Sequence, residues 1–203
     1  MSAEKNGLVL VVRHPETTAN AERRYVGRSE SPYTALGEVQ AEEMGRLLAE
    51  WGPDRVYTSP LKRAHAVASA AAGSAPLTVL GAIAEIDFGC AENMTADDMR
   101  AAGLRLDYPG LPDLAGARAC GEPWDAFESR VAQAGEAFAA QRGRTLVVAH
   151  GGVVRVLMMR WLGLDAQAAF RLGVSNGTGA LVAFQGGYAT LQGFGPVRAL
   201  CAI

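Results

Sequence analysis

The sequence predicts an α/β fold, a three-layer sandwich in which helices cover both faces of a mainly parallel central sheet. Two observations support this prediction. A continuous apolar run, typical of a strand buried on both faces, occurs at residues 8–12, and residues 145–149 are predicted to form a second buried strand. Helical patterns alternate with strand patterns along the chain. The 203 residues are predicted to form one domain, residues 1–203, with a loop-rich insertion at about 93–122, where Gly, Pro, Ala and charged residues replace the periodic pattern.

The first half of the chain contains elements predicted from periodicity and capping residues. They are a strand at 8–12, a polar loop with a short helical turn at 18–34, a helix at 36–51, a strand at 55–58 and a helix at 61–72. The helix at 36–51 has an apolar stripe that begins with Leu36 and Val39 and ends at Trp51. Ser59 as N-cap and Pro60 in the first turn are the start signal of the helix at 61–72.

The second half of the chain continues the alternation of strands and helices. The predicted elements are an extended segment at 77–86, helices at 99–106 and 124–142, a strand at 145–149, a helix at 153–162 and a hairpin at 180–192. The helix at 124–142 has an apolar face that runs from Trp124 to Phe138 and is closed by Gly143. The hairpin is predicted from the turn Gln185-Gly186-Gly187.

Composition and charge exclude several classes of protein. The net charge of −2 argues against a nucleic acid partner or an anionic membrane surface. The chain has no apolar run of 18 residues and a short polar start, so we expect a cytoplasmic protein without a membrane span. Cys90, Cys120 and Cys201 form no CxxC pair, and we expect small buried or half-buried thiols in a reducing cytosol.

Two of the three histidines directly follow predicted buried strands. His14 follows the first strand, and His150 follows the strand at 145–149. Ligands bind at the carboxyl edge of parallel sheets, so two histidines at that edge favour a functional site over two separate strand caps. Their neighbours are Arg13 and Gly151, which suit a phosphate group and not a metal ion. We therefore predict an anion site and neither a metal nor another cofactor.

An additional cation and an acid are available for such a site. Arg63 falls in the first turn of a predicted helix, where free N–H groups and the helix dipole favour anions. Glu85 and Asp87 lie in an otherwise apolar stretch, and either carboxyl could protonate a leaving group. The residues alone do not distinguish between these two acids. His65, inside an alanine-rich helix, is predicted to be a packing or surface residue.

Five segments of the chain resemble, in order, the signature segments of the histidine phosphatase superfamily, which includes the cofactor-dependent phosphoglycerate mutases. They are RHPET at 13–17 with Asn20 three residues later, GRSESPYTALG at 27–37, YTSPLKRA at 57–64, EIDFG at 85–89 and VVAHGGVVR at 147–155. The spacing is most similar to that of α-ribazole phosphatases and broad-specificity small-molecule phosphatases. The resemblance implies a phosphoglycerate mutase-like fold.

The resemblance also implies roles for the candidate residues. His14 would be the nucleophile, while Arg13, Arg63, a protonated His150 and Asn20 would hold the phosphoryl oxygens. Glu85 would be the proton donor, which resolves the choice between Glu85 and Asp87. Arg28 and Gly151 are further candidates for substrate binding. The implied activity is metal-independent hydrolysis of a small phosphorylated metabolite, with mutase-type phosphoryl transfer and a weakly catalytic phospho-ligand-binding regulator as the alternatives.

Three positions depart from the pattern of the superfamily. Pro15 stands in place of the usual glycine, which removes a backbone donor and restricts φ. We expect a modest change in this loop and not the loss of the site. Residues 90–93 replace a common W-E-G pattern, and Gly121-Glu122-Pro123 replaces a common G-E-S. These departures bear on the substrate, which the sequence leaves open together with the oligomeric state.

Overall fold

The computed structural model describes residues 7–106, 108, 117–118 and 120–203. Parts of the predicted insertion, residues 107, 109–116 and 119, lie outside the described residues, so the insertion stays a prediction. The strands are β1 (Gly7–Arg13), β2 (Arg55–Thr58), β3 (Leu77–Val79), β4 (Leu104–Arg105), β5 (Ala117–Arg118), β6 (Gly143–Ala149), β7 (Thr178–Gln185) and β8 (Tyr188–Pro196). The helices are α1 (Thr18–Ala21), α2 (Ala35–Trp51), α3 (Lys62–Ala72), α4 (Ala96–Ala101), α5 (Trp124–Ala139), α6 (Gly151–Leu162), α7 (Ala166–Phe170) and α8 (Val197–Leu200).

The central sheet is mainly parallel, as the sequence predicts. Its strand order is β3-β2-β6-β1-β7-β8. Strands β3, β2, β6 and β1 are parallel to one another. Strand β7 is antiparallel to β1, and β8 is antiparallel to β7. The β7–β8 hairpin turns at Gly186 and Gly187, both with positive φ, which glycine adopts without strain. Strands β4 and β5 form a separate parallel pair.

Helices cover both faces of the sheet, because alternate side chains of a strand point to opposite sides. Val9 and Val11 of β1 join a core cluster with the apolar faces of α5 and α6. Leu10 and Val12 join a second cluster with α2, α3 and α8. All four residues are fully buried, as expected for a strand that packs on both faces. The three-layer α/β architecture is thus confirmed. No helix in the described part of the chain is long and apolar enough to span a membrane.

Several local predictions are wrong. The helix predicted at 99–106 begins earlier, because Thr95 and Asp98 form a capping box, and it ends before Gly103, whose φ is 63°. The N-cap of α3 is Leu61 and not Ser59. The extended segment at 77–86 is a strand only as far as Val79, and a 3₁₀ turn follows at 81–83.

Two further corrections concern the helices. Leu36 and Val39 were predicted to lie on the inner face of α2, but they are 54% and 62% exposed. The first large apolar side chain of this helix that is buried is Met44. Helix α5 ends at Ala139, and Gly143, expected to close it, is the first residue of β6 with φ 77°.

The register of the sheet brings the two histidines together. In the parallel pair β1–β6, Arg13 lies beside Ala149, so the next residue of each strand leaves the sheet at the same edge. The backbone N–H of His14 donates to the carbonyl oxygen of Ala149 at 3.0 Å. His150 is the N-cap of α6, which begins directly after β6. The predicted convergence of His14 and His150 at the carboxyl edge is therefore observed.

Candidate active site

His14 is buried, and its hydrogen bonds determine which ring nitrogen is free to react. Its Nδ1 lies 2.7 Å from the carbonyl oxygen of Pro15. A carbonyl oxygen only accepts hydrogen bonds, so Nδ1 carries the proton and Nε2 keeps its lone pair. Burial, followed by the charges of Arg63 and Arg13, holds the pKa of His14 well below its ordinary value of 6.5. A neutral imidazole with Nε2 unprotonated has the form that a nucleophile requires.

Arg63 lies directly against this nitrogen. Its Nε is 3.3 Å from His14 Nε2, and its two terminal nitrogens donate to the carbonyl oxygens of Gly27 (2.7 Å) and Ser29 (2.9 Å). The loop that supplies these carbonyls is held by Glu92, whose carboxylate accepts from the N–H groups of residues 27–29 at 2.9–3.2 Å. The Arg63 guanidinium is thus held at Nε by His14 and at its terminal nitrogens by the two loop carbonyls. Desolvation lowers the pKa of Arg63, and Glu85 partly opposes this shift.

His150 is fully buried beside His14, with their ring centroids 5.2 Å apart. Its Nε2 lies 2.7 Å from the hydroxyl oxygen of Ser59, which also accepts from the N–H of Leu61 at 3.2 Å. When the Ser59 hydroxyl donates to Nε2, the proton of neutral His150 sits on Nδ1, which is buried and has no partner among the residues described. Nδ1 is then a donor available to an anion.

The protonation expected for His150 is not favoured by the protein groups around the ring. Burial, followed by the charges near the ring, above all that of Arg63, holds the pKa of His150 well below 6.5. The ring is therefore neutral at pH 7. A bound phosphate dianion would act in the opposite direction, because a negative charge nearby favours the protonated form of an imidazole.

Two arginines flank the first residue of α6. A Cβ built on Gly151 would lie 3.3 Å from a terminal nitrogen of Arg155 and 3.6 Å from Nε of Arg13. Arg13 donates to the carbonyl oxygen of Val174 at 2.7 Å, and Arg155 to that of Leu172 at 3.3 Å. Within the described part of the chain, the buried Nε of each arginine lacks a hydrogen-bond partner. Unpaired buried donors at a helix N-terminus suit an anion.

Arg13 keeps its positive charge in this setting. Desolvation lowers its pKa to about 10, and the repulsion of Arg155 and Arg63 adds to that effect while Glu85 opposes it. At neutral pH the Arg13 guanidinium is therefore still protonated. The guanidinium groups of Arg13, Arg63 and Arg155, together with neutral His14 and His150, make the site strongly suited to a dianion.

Glu85 is buried at the edge of α6. One carboxylate oxygen accepts from the N–H of Gly152 at 3.0 Å, and the other accepts from the N–H of Ile86 at 3.0 Å. A Cβ on Gly152 would lie 2.4 Å from the Glu85 carboxylate, so glycine is required for this approach. Asp87, the other candidate acid, accepts from the N–H of Gly89 at 2.7 Å and does not line the cleft.

Asn20 and Arg28, the predicted binding residues, take different positions. The amide oxygen of Asn20 accepts from the hydroxyl and N–H of Thr17 and from the amide of Asn176. This leaves its amide nitrogen as the group that can donate to a ligand in the cleft. Arg28 lies further out, where its side chain is 39% exposed and 3.7 Å from Glu122, although its charge contributes to the lowered pKa of His150.

The cleft has a volume of about 190 Å³, and two kinds of side chain line it. The polar and charged ones include Arg13, Asn20, Glu85 and Arg155. The others are largely aromatic rings, whose neighbouring centroids lie 5.4–6.1 Å apart. These rings are Tyr25, Phe88, Tyr108, Trp124, Phe127 and Phe170.

The sequence did not predict the residues that hold the candidate reacting groups in place. Ser59, Glu92 and Arg155 lie within or next to the motif segments, but only the fold shows what they contact. No motif or periodic pattern in the sequence pointed to Asn176. Its amide donates to the carbonyl oxygens of His14 and Pro15 at 3.1 Å, which fixes the loop that orients the His14 ring.

Comparisons with known proteins agree on the family. Residues 9–195 match the family model described as histidine phosphatase superfamily, branch 1. A probable phosphoglycerate mutase of Salmonella paratyphi C is 34% identical over 83% of this chain and 80% of its own. An uncharacterized phosphatase of Bacillus subtilis is 29% identical over 78% and 79%. The α-ribazole phosphatase structure from Shigella flexneri shares the fold, with a TM-score of 0.78, 24% identity and coverage of 94% and 96%.

Proposed function

We propose that this chain, which belongs to the histidine phosphatase superfamily, hydrolyses a small-molecule phosphomonoester through a phosphohistidine formed on His14. One observation carries the proposal. The Pro15 carbonyl oxygen holds the proton of His14 on Nδ1, and the opposite nitrogen, Nε2, lies 3.3 Å from the Arg63 guanidinium. The nucleophilic lone pair and the cation that would bind the phosphoryl group thus converge on one point.

In the first half-reaction, the lone pair of His14 Nε2 forms a bond to phosphorus while the bond from phosphorus to the ester oxygen breaks. Arg13, Arg63 and the N–H on Nδ1 of His150 offset the negative charge on the phosphoryl oxygens. Glu85 gives its proton to the departing oxygen, which leaves as an alcohol. The N–H of Gly152 holds this carboxyl at the edge of the phosphate site.

In the second half-reaction, water attacks phosphorus and the N–P bond breaks, which returns the electron pair to Nε2. The Glu85 carboxylate takes a proton from that water and is ready for another cycle. The products are inorganic phosphate and the free enzyme. Asn20 and Gly151 contribute hydrogen-bond donors at the phosphate, and Arg28 meets the outer part of the substrate.

A phosphoglycerate mutase-type transfer is the second candidate, because the relative from Salmonella paratyphi C, named a probable phosphoglycerate mutase, is 34% identical. Transfer requires that a second acceptor, and not water, takes the phosphoryl group from His14. The aromatic residues that line the cleft favour hydrolysis of esters with an apolar leaving group over binding of a small, highly charged acceptor.

The test compares the wild-type protein with His14→Ala and His65→Ala on p-nitrophenyl phosphate at mildly acidic pH in the presence of EDTA. His65 is a matched control, since it lies half-buried on α3 and contacts Ser69 instead of the site. We expect chelator-resistant hydrolysis that His14→Ala abolishes and His65→Ala retains. Activity that survives in His14→Ala would show that another residue is the nucleophile.

A second measurement separates hydrolysis from transfer. The products formed from 3-phosphoglycerate are analysed with and without 2,3-bisphosphoglycerate as a primer. Release of inorganic phosphate without the primer supports the phosphatase. Primer-dependent formation of 2-phosphoglycerate, with little phosphate released, would support the mutase instead.

A further inference from the structure

Cys90 and Cys120 lie side by side, although 30 positions separate them in the sequence. The backbone N–H of Cys90 donates to Sγ of Cys120 at 3.1 Å, and the N–H of Cys120 donates to Sγ of Cys90 at 3.1 Å. Each sulfur is therefore held against the backbone of the other residue. The expectation of buried or half-buried thiols is wrong for both of these cysteines, which are exposed.

The surrounding backbone brings the two cysteines close together. A Cβ built on Gly89 would lie 2.5 Å from the carbonyl carbon of Cys120, so the two segments touch directly. The N–H of Glu122 donates to the carbonyl oxygen of Asp87 at 2.8 Å and keeps the segments in register. A disulfide needs Cα atoms within about 7 Å and Cβ atoms that face each other. Reciprocal N–H to sulfur contacts across touching backbones are consistent with that requirement.

We propose that Cys90 and Cys120 are a thiol–disulfide modification site that reacts with small-molecule disulfides of the glutathione type. One cysteine thiolate attacks the small disulfide, so that one sulfur–sulfur bond breaks, a mixed disulfide forms and one small thiol leaves. The second cysteine thiolate then attacks the mixed disulfide and displaces the second small thiol. In total, two protein thiols and one small disulfide become one protein disulfide and two small thiols.

The environment of Cys90 and Cys120 fits this chemistry, whereas the environment of Cys201 does not. Hydrogen bonds from Cys120 lower the pKa of the exposed Cys90 thiol, which favours the reactive thiolate. Cys201 is half-buried, packs against the core cluster of α2, α3 and α8, and has its pKa raised by burial. The proposal is independent of the proposed phosphatase activity, since it invokes none of the residues that would act on phosphate.

The bond would join two chain segments that contribute residues to the lining of the cleft. Cys90 follows the segment that carries Glu85 and Phe88, and Cys120 precedes α5, whose first residue is Trp124. The disulfide would close a loop of about 30 residues, for which cross-linking of the unfolded chain predicts a rise in Tm of several degrees. The two oxidation states thus differ in how firmly these segments are held together.

The test incubates the folded, reduced full-length protein with oxidised and reduced glutathione at a series of ratios, followed by acid quenching and mass spectrometry. We expect the loss of two thiols with a mass decrease of about 2 Da, since two hydrogens are removed. A peptide map should link Cys90 to Cys120, and dithiothreitol should restore the reduced mass. Cys201→Ser should behave like the wild-type protein, with the same rise in Tm on oxidation.

Single substitutions of the pair make the test decisive. In Cys90→Ser and Cys120→Ser the intramolecular bond cannot form, so we expect a stable mixed disulfide with glutathione on the remaining partner and no rise in Tm. Circular dichroism confirms that each variant is folded. Persistent mixed disulfides in the wild-type protein, cross-links that contain Cys201, or failure to lose thiols at the most oxidising ratio would overturn the proposal. Phosphatase activity is not a readout here, so its absence would leave the result intact.

Discussion

Arg130 on α5 makes the strongest testable link between the fold and the candidate acid. Its guanidinium forms a two-pronged pair with Glu122 at 2.6 and 2.7 Å. It also donates to the backbone carbonyl oxygens of Ala82 and Ala84, both at 2.8 Å, and of Glu85 at 3.2 Å. One side chain therefore fixes the segment that carries the Glu85 carboxyl. We expect Arg130→Ala to lower both stability and the use of that acid.

The expected loss of stability follows from these contacts. The side chains of Arg130 and Glu122 are only 20% and 16% exposed, so the remaining carboxylate would be left partly buried without its partner. Three backbone carbonyls would also lose a donor, at about 1 kcal/mol each. We therefore expect the free energy of unfolding to fall by about 4 kcal/mol. The matched control is Arg46→Ala, which removes an exposed pair with Glu50 and should cost about 0.5 kcal/mol or less.

Urea denaturation measures the change in stability, and a pair of substrates measures the effect on the acid. An alkyl phosphate has a poor leaving group and would need the proton that we propose Glu85 to supply, whereas p-nitrophenyl phosphate would need it much less. We expect the kcat of Arg130→Ala to fall at least about tenfold further for the alkyl ester than for the aryl ester. Equal losses on both substrates, or a stability change no larger than that of Arg46→Ala, would refute the assigned role of Arg130.

Three other predictions follow from the contacts around the proposed phosphate site. Glu92→Gln weakens the hydrogen bonds to residues 27–29 that aim Arg63, so kcat/KM for p-nitrophenyl phosphate should fall about tenfold or more in steady-state kinetics. Ser59→Ala removes the hydroxyl beside His150 and should lower kcat to a similar extent, while an unchanged circular dichroism spectrum would show that the fold is retained. The pKa of buried His150 is lowered, so below pH 6.5 the unfolded chain binds more protons than the folded one. The free energy of unfolding should therefore decrease as the pH is lowered below 6.5, by roughly 1.4 kcal/mol per pH unit for this group. His150→Gln should flatten that slope in urea titrations at a series of pH values.

Much of the fold and the outline of the site could be predicted from the sequence. The buried runs that became β1 and β6 have the composition of two-faced strands, and this pattern is local. A residue directly after a parallel strand must emerge at the carboxyl edge of the sheet, which is why the convergence of His14 and His150 was predictable. Helix ends were less predictable. The start of α4 is set by the capping box of Thr95 and Asp98, whereas α5 ends at Ala139 with no capping side chain and no glycine at its C-cap.

What only the tertiary structure decided is how each reacting group is held. Gly27 links two segments that are distant in sequence, because its N–H donates to Glu92 and its carbonyl oxygen accepts from Arg63. The contact of Asn176 with the loop at His14 also joins distant segments. The pairing of Cys90 with Cys120 belongs to the same class of contact. Periodicity and capping report the environment within a few residues along the chain. Partners 30 to 162 positions apart are brought together by sheet order and loop packing, which a local pattern does not encode.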